Sequence, residues 1–362
     1  MTSKNATKLL STDTCLRFSR YCGVECYRVS YIILKKEEAV HKTAIKILKS
    51  RIGIESTAEE ILPSFPLKIE VKSLLTDFMD VEQIPYSENL DGYISIHESD
   101  DSPSYEFLGN RAIFKGPIRK LLRDASDLRF SLWGNQGFLY RYSLFLLEKK
   151  HRIYNLHACA LYSQKKDYLY VVIGGAGSGK TVYLLSGLTK GLSLFSTETV
   201  HFRINKNTIS WFMGSLVDNV RLGTLMHNFP QFLRYIDTQE TEDEWQKKIA
   251  LDLSSYKTES EELATPCAVT ILFPRIEEGR KGFILMPITD KRKAAKALFD
   301  NITQKLSETV ILYDRLPVLG FDEEEMAKKR LSTAGQLVQH KSVVQTASVL
   351  SNPNDCWGEL LD

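Results

Sequence analysis

The sequence predicts an α/β protein with α+β character: a domain built on a mixed, largely antiparallel sheet around one strand, glycine-loop and helix unit, preceded by a smaller α+β module. Three observations predict it. The apolar run YLYVVI (168–173) is followed at once by GGAGSGKT (174–181) and then by TVYLLSGLTK, whose Val182, Leu184, Leu185 and Leu188 form a helical stripe ending near Gly191. Strand-like runs on both sides of this unit come in pairs joined by short polar turns, which means antiparallel neighbours. A chain of 362 residues with 43% apolar and 25% charged residues is long and apolar enough for one large or two ordinary cores.

The smaller module is expected over 1–145, the loop-bearing domain over 146–330, and a weakly periodic, at best partly ordered tail over 331–362. In the first part, VHKTAIKILKSRI carries Val40, Ile45, Ile47 and Leu48 at spacings that suggest a helix. Tyr105-Glu106-Phe107, Gly109-Asn110 and Ala112-Ile113-Phe114 read as a tight hairpin, with HESDDSPS (97–104) a polar loop before it. GFLYRYSLFLLEKKH (137–151) is apolar enough for a buried helix leading into the second domain. There, YNLHACALYS and DYLYVVI pair across Gln164-Lys165-Lys166, and TVHFRI pairs with TISWFM across Asn205-Lys206-Asn207. AVTILFP and GFILMP add later strands, and KRKAAKALFDNITQKL adds a helix.

Charge gives no global field: 47 basic residues face 45 acidic ones, so neither nucleic acid nor an anionic membrane is an expected partner. Ten of the basic residues fall in the first 50, but they are spread over elements as a solvated surface would spread them. No apolar run near the start suits a signal peptide and none spans 18 residues, so the expected address is cytoplasmic. The six cysteines are too scattered for a disulfide framework, and Cys15, Cys22 and Cys26 lack zinc-site spacing. Position alone suggests a substrate-selecting or homo-oligomer-forming role for the first 145 residues.

GGAGSGKT matches the phosphate-loop pattern. Gly174, Gly175, Ala176, Gly177, Ser178 and Gly179 let backbone amides turn inward around a phosphate, Lys180 adds a compact positive charge, and the Thr181 hydroxyl can ligate magnesium. The following helix adds the partial positive charge of its N-terminus. The pattern therefore predicts a bound nucleoside triphosphate, ATP with Mg2+. Two acids compete to complete the magnesium site: Glu198, which ends the strand after the loop helix, and Asp314, which ends the apolar run in TVILYD.

The run from Asn155 to Arg221 resembles the catalytic domain of HPr kinase/phosphorylase and its relatives in the phosphoenolpyruvate-carboxykinase-like group of phosphate-loop kinases. His157-Ala158-Cys159-Ala160 is similar to the family's histidine-bearing strand, GLSLFSTETVHF to its strand with an acidic pair, and GSLVDNVR to a later glycine-led segment in which Asn219, Val220 and Arg221 match. The chain departs where the acidic pair becomes Thr197 and Glu198, and where a glutamate and an arginine become Trp211 and Met213. The resemblance implies an HPr-kinase-like fold and a phosphotransferase with an alcohol-group acceptor. It favours Glu198 over Asp314 for the metal, gives His157 or Glu198 the acceptor proton, and gives Arg221 a clamp on the transferred phosphate.

The expected function is thus an ATP-dependent kinase whose acceptor is a small hydroxylated molecule or a serine of a peptide or protein. Two alternatives stand beside it. One is a nucleotide-binding regulatory or pathway-accessory protein with decayed catalysis, which the missing acid favours. The other is an ordinary phosphate-loop ATPase using Asp314.

Overall fold

The computed structural model describes residues 39–63, 81–175, 177–235, 243–277, 279, 282–353 and 355–361. The cysteine cluster at 15–26, most of the basic N-terminal stretch and Ala176 lie outside the described residues. His41–Asp362 forms one compact unit. It is mixed α/β, with two large mixed sheets, two small hairpin sheets and six α-helices among the described residues.

The first sheet has six strands: β1 (His41–Ile47), β2 (Ser50–Ser56), β3 (Val81–Ile84), β4 (Gly92–Glu98), β5 (Ser104–Leu108) and β6 (Arg111–Gly116), in the order β3-β1-β2-β4-β6-β5. The helix expected at Val40 to Ile52 is instead the antiparallel β1–β2 hairpin, with Ile45 opposite Ile52 and Ile47 opposite Ser50. The physical reason is a period of two, Ile45, Ile47 and then Ile52, Ile54, all fully buried on one face. The turn escapes notice because Leu48, rather than a glycine, takes the left-handed conformation at φ 52°. The 105–114 hairpin forms as expected, with Gly109 at φ 65° between β5 and β6.

Helix α1 (Ile118–Asp124) leads to α2 (Phe138–His151), buried from Phe138 through Glu148 as its composition predicts. The boundary expected near residue 145 falls inside α2. Its aromatic side chains share a core with β1, β2, β4 and β6, and also with Leu306, Leu312, Phe321 and Met326 from far downstream.

The second sheet contains β7 (Tyr154–Ser163), β8 (Tyr168–Ile173), β9 (Ser193–Ser196), β10 (Thr199–Asn205) and β11 (Thr208–Phe212). After the small hairpin of β12 (Val217–Arg221) and β13 (Lys248–Asp252), it resumes with β14 (Glu262–Ala264), β15 (Ala268–Ile276), β16 (Ile284–Pro287) and β19 (Val343–Ser351). The order is β14-β11-β10-β7-β8-β15-β19-β16, with β9 beside β7. Only β8–β15 and β15–β19 are parallel, so the sheet is largely antiparallel with a parallel centre, as expected.

Helix α3 (Lys180–Thr189) covers one face, packing Leu184, Leu185 and Leu188 with Cys159 and Leu161 of β7. On that same face lie β12, β13 and α4 (Leu222–Asn228), through Val220, Leu225 and Leu251. Helices α5 (Lys291–Ser307) and α6 (Glu324–Gln339) cover the other face, where Leu298, Ile302 and Leu337 meet Leu156, Ala158 and Ala160. The remaining strands, β17 (Val310–Leu312) and β18 (Leu316–Val318), pair only with each other.

Residues 331–362 are not a loose tail. They hold half of α6, strand β19 between β15 and β16, and Trp357, which is fully buried and donates its indole N–H to the Tyr183 carbonyl at 3.1 Å. The periodicity is weak in the sequence because polar residues take inward places: Ser351 is fully buried with Ala347 and Val349, while Gln345, Thr346 and Ser348 are half-buried with their backbone paired to β15.

Candidate active site

Strand β8, in the middle of the sheet, carries the chain into the glycine loop at the strand ends. Gly177 at φ 79° and Gly179 at φ 96° hold conformations that other residues rarely adopt, and a Cβ on Gly179 would lie 2.3 Å from Ile276 Cγ1 at the end of β15. Two independent reasons thus require glycine there. The Ser178 hydroxyl, next to Gly179, is buried without a hydrogen-bond partner among the described residues. Helix α3 starts at Lys180, so its first amides, which have no partner within the helix, face the loop.

Lys180 folds back over its own loop. Its ammonium donates to the carbonyls of Gly174 at 2.7 Å and Gly175 at 3.4 Å, and lies 3.2 Å from His157 Nε2. That same nitrogen is 3.3 Å from Glu198 Oε2. His157 arrives here because β7 alternates: Cys159 and Leu161 face α3, and His157 extends that face to the loop. Its backbone is held from the other side, where the His157 N–H donates to Asn301 Oδ1 at 2.8 Å and the Asn301 amide donates back to the His157 carbonyl at 3.3 Å. The second ring nitrogen, Nδ1, is buried without a partner among the described residues.

Glu198 sits in the bend between β9 and β10, where Ala158 N–H donates to its carbonyl at 3.1 Å. Beside it lies an acid that the sequence reading missed, Asp218, 2% exposed on β12 and near enough to Glu198 and Thr181 that both act on its carboxyl. Burial pushes Glu198 upward, but the His157 hydrogen bond and the Lys180 and His157 charges outweigh it and hold the carboxyl down at about 2. Burial, then the neighbouring Glu198 charge, push Asp218 well above the carboxylate range. The surroundings thus push the two carboxyls apart, Glu198 toward its ionised form and Asp218 toward its protonated form.

Thr197, standing where the resemblance expects the first acid, has a different task. Its hydroxyl donates to the Val217 carbonyl at 2.8 Å, and its N–H to the Ser215 carbonyl at 2.9 Å, which ties the start of β12 to this bend and sets Asp218 against Glu198. Gly214 permits the approach, since a Cβ there would lie 1.7 Å from the Thr199 carbonyl oxygen. Trp211 and Met213 are buried core residues.

The loop residues with Lys180 and Thr181, together with His157 and Glu198, thus meet in one cluster. Two expected residues do not join it. Arg221 is exposed on β12, on the face opposite buried Asp218 and Val220. Asp314 occupies the turn of the β17–β18 hairpin at φ 60° and accepts from Ser126 N–H at 2.9 Å and Ser126 Oγ at 2.7 Å. The β17–β18 hairpin pairs with no strand of the sheet that carries the phosphate loop, so Asp314 stays with Ser126 and outside the cluster. One signal could have revealed Asp218: alternation in VDNVR puts it on the same face as Val220, and an acid sharing the face of a buried valine needs a reason to be there.

Among the described residues, no group of three or more histidines, cysteines or acids could hold a metal alone. Thr181, Glu198 and Asp218 nevertheless bring a hydroxyl and two carboxyls close together. These oxygen donors fit magnesium, which takes few protein ligands and leaves the rest to water and phosphate. No helix among the described residues is long and apolar enough to cross a membrane. No known family model matches the chain, and no curated protein matches it.

Proposed function

We propose that the chain is a cytoplasmic, ATP-dependent kinase of the HPr-kinase-like kind, which passes the γ-phosphoryl of ATP to a hydroxyl of a small molecule or of a serine in a peptide or protein. What carries this proposal is the meeting of Lys180, His157 and Glu198 at the end of the strand that opens the phosphate loop. A loop that only held a nucleotide would need the lysine and the glycines, but not a histidine bridging lysine and acid.

In this reading the amides of the loop and of the first turn of α3 hold the β-phosphate, and Lys180 exchanges its loop carbonyls for β- and γ-phosphate oxygens. Magnesium, held through Thr181, Glu198 and Asp218, supplies neutralisation of phosphate charge when bound. The acceptor oxygen forms a bond to the γ-phosphorus as the bond to the β-bridging oxygen breaks, leaving ADP, and the acceptor proton passes to His157. Glu198, held at about 2, is a poor base and suits the metal better. Such a transition state is loose and needs positioning and charge more than a strong base.

The rival, a nucleotide-binding regulator without catalysis, draws on Thr197 standing where an acid is expected. Asp218 supplies a second carboxyl against Glu198, which favours the kinase. Replacing each candidate acid separates the readings: Glu198→Gln should lower phosphoryl transfer by about 100-fold or more, while Asp314→Asn leaves it near wild type. The reverse pattern would restore the ATPase reading based on Asp314.

A further inference from the structure

A cleft of about 450 Å³ opens beside the phosphate loop, between α5 and the ends of the parallel strands β8 and β15. Ile173, Phe273 and Ala297 give it an apolar floor, and Asp300, Asn301 and Gln304 of α5 a polar rim, with Gly174 at one end. Its size is that of a small-molecule site. Its position relative to the catalytic cluster is what gives it meaning. Ala158 pairs with Ile173 across β7 and β8, so His157 and Gly174 are the next residues along the same two strands. Lys180 bonds to both of them. A loop lysine reaches the β- and γ-phosphates, so the γ end of a bound triphosphate would lie between His157 and Gly174, and the cleft opens at Gly174 on the α5 side of the same strand ends. Asn301 both lines the cleft and grips the His157 backbone.

We propose that this cleft is the acceptor site, and that the acceptor is a small, uncharged, polyhydroxylated molecule. The inference rests on the kinase reading above. The rim offers hydrogen-bond acceptors and amides, while no lysine or arginine is among the residues lining the cleft. Asp300 is already paired with Lys296, one turn back on α5, at 2.6 Å, so the rim carries no net charge. Gln304 donates to Glu308 at 2.9 Å, which leaves its carbonyl oxygen to accept from a hydroxyl. An anionic acceptor would meet the triphosphate's charge with no cation in the cleft to offset it. The apolar floor suits the carbon face of a polyol or sugar ring, and the rim suits its hydroxyls.

The test uses the full chain with magnesium and a probe panel: glycerol, inositol and glucose, against glucose phosphate and a serine-containing peptide. With a non-hydrolysable ATP analogue, calorimetry reads analogue affinity and saturation-transfer NMR reads probe binding; with ATP itself, ADP release reads turnover. Expected is that a neutral polyol binds and raises ADP release at least tenfold. Ala297→Trp, filling the cleft, should lower kcat/KM for that polyol more than tenfold while the analogue dissociation constant stays within twofold. Asp300→Asn, on the exposed face of α5, should raise KM several-fold with kcat held, and serves if the tryptophan variant melts early. Activation by the phosphate ester or the peptide alone, or by no probe at all, overturns the acceptor class. Joint loss of analogue and polyol binding in Ala297→Trp overturns the placement, because the cleft would then hold the nucleotide. Failure of the wild type to bind the analogue sinks the kinase reading itself, and this inference with it.

Discussion

Asp218 is the residue on which the chemistry of the cluster turns. Buried beside Glu198 and Thr181, it is pushed toward its protonated form by burial and by the Glu198 charge. A metal needs that proton removed, so magnesium-dependent ATP binding should strengthen as pH rises, with about one proton released per site. Asp218→Asn should abolish this pH dependence and weaken the magnesium requirement; calorimetry in buffers of different ionisation enthalpy counts the protons. The linkage with stability has the opposite sign. A group whose folded pKa is raised stabilises while protonated, and that contribution is lost as pH climbs through the folded value. The asparagine variant, which resembles the protonated acid and cannot ionise on unfolding, should gain stability relative to wild type as pH rises above the ordinary carboxylate value. His157, Lys180 and Glu198 were legible in the sequence because each lies on a recognisable motif. Asp218 was not, because its partners, Glu198 and Thr181, come from the β9–β10 bend and α3, and only the fold unites them.

At the scale of elements, periodicity and turn chemistry were readable: β7, β8, β10, β11, α2, α3 and α5 lie within a residue or two of where the pattern puts them. The β1–β2 hairpin was not readable, since its turn carries Leu48 and Lys49 rather than glycine or asparagine. Helix packing depends on a buried polar cluster, also invisible in sequence, in which Arg330 of α6 bonds to Glu148 of α2 and Thr303 of α5, each at 2.8 Å, and to Asp322. Burial lifts Glu148 to about 7 despite Arg330. Its stabilising contribution is therefore full below the ordinary value of 4.5 and lost as pH rises toward 7. His201, which burial lowers to about 3, acts oppositely, losing stability as pH falls from 6.5. The two offset each other in wild type, so Glu148→Gln should expose the difference. Between about pH 4.5 and 7 its stability relative to wild type should rise by up to about 2 kcal/mol in denaturant titrations. A flat difference would show that Glu148 does not hold its proton.

Across the whole molecule, the chain's last quarter closes what the middle begins. Strand β19 lies beside β15, which in turn lies beside β8, and Trp357 rests on Tyr170 of β8 and Tyr183 of α3, with ring centroids 5.3 and 5.6 Å away. The helix that presents Lys180 is thus braced by residues far from the motif. Trp357→Ala should cost about 3–5 kcal/mol in unfolding free energy and weaken nucleotide binding through α3, although the side chain touches no loop residue. Nothing local marked this segment as structural, because Gln345, Thr346, Ser348 and Ser351 interrupt its apolar pattern while pairing with β15 satisfies their backbone. The most direct measurement of the central claim is transfer of label from γ-labelled ATP, with magnesium, to a hydroxylated acceptor by wild type and by Lys180→Ala. Labelled acceptor formed by wild type and lost by at least about 100-fold in the variant is the result predicted. Nucleotide binding without transfer to any acceptor, or equal transfer by both proteins, would contradict it.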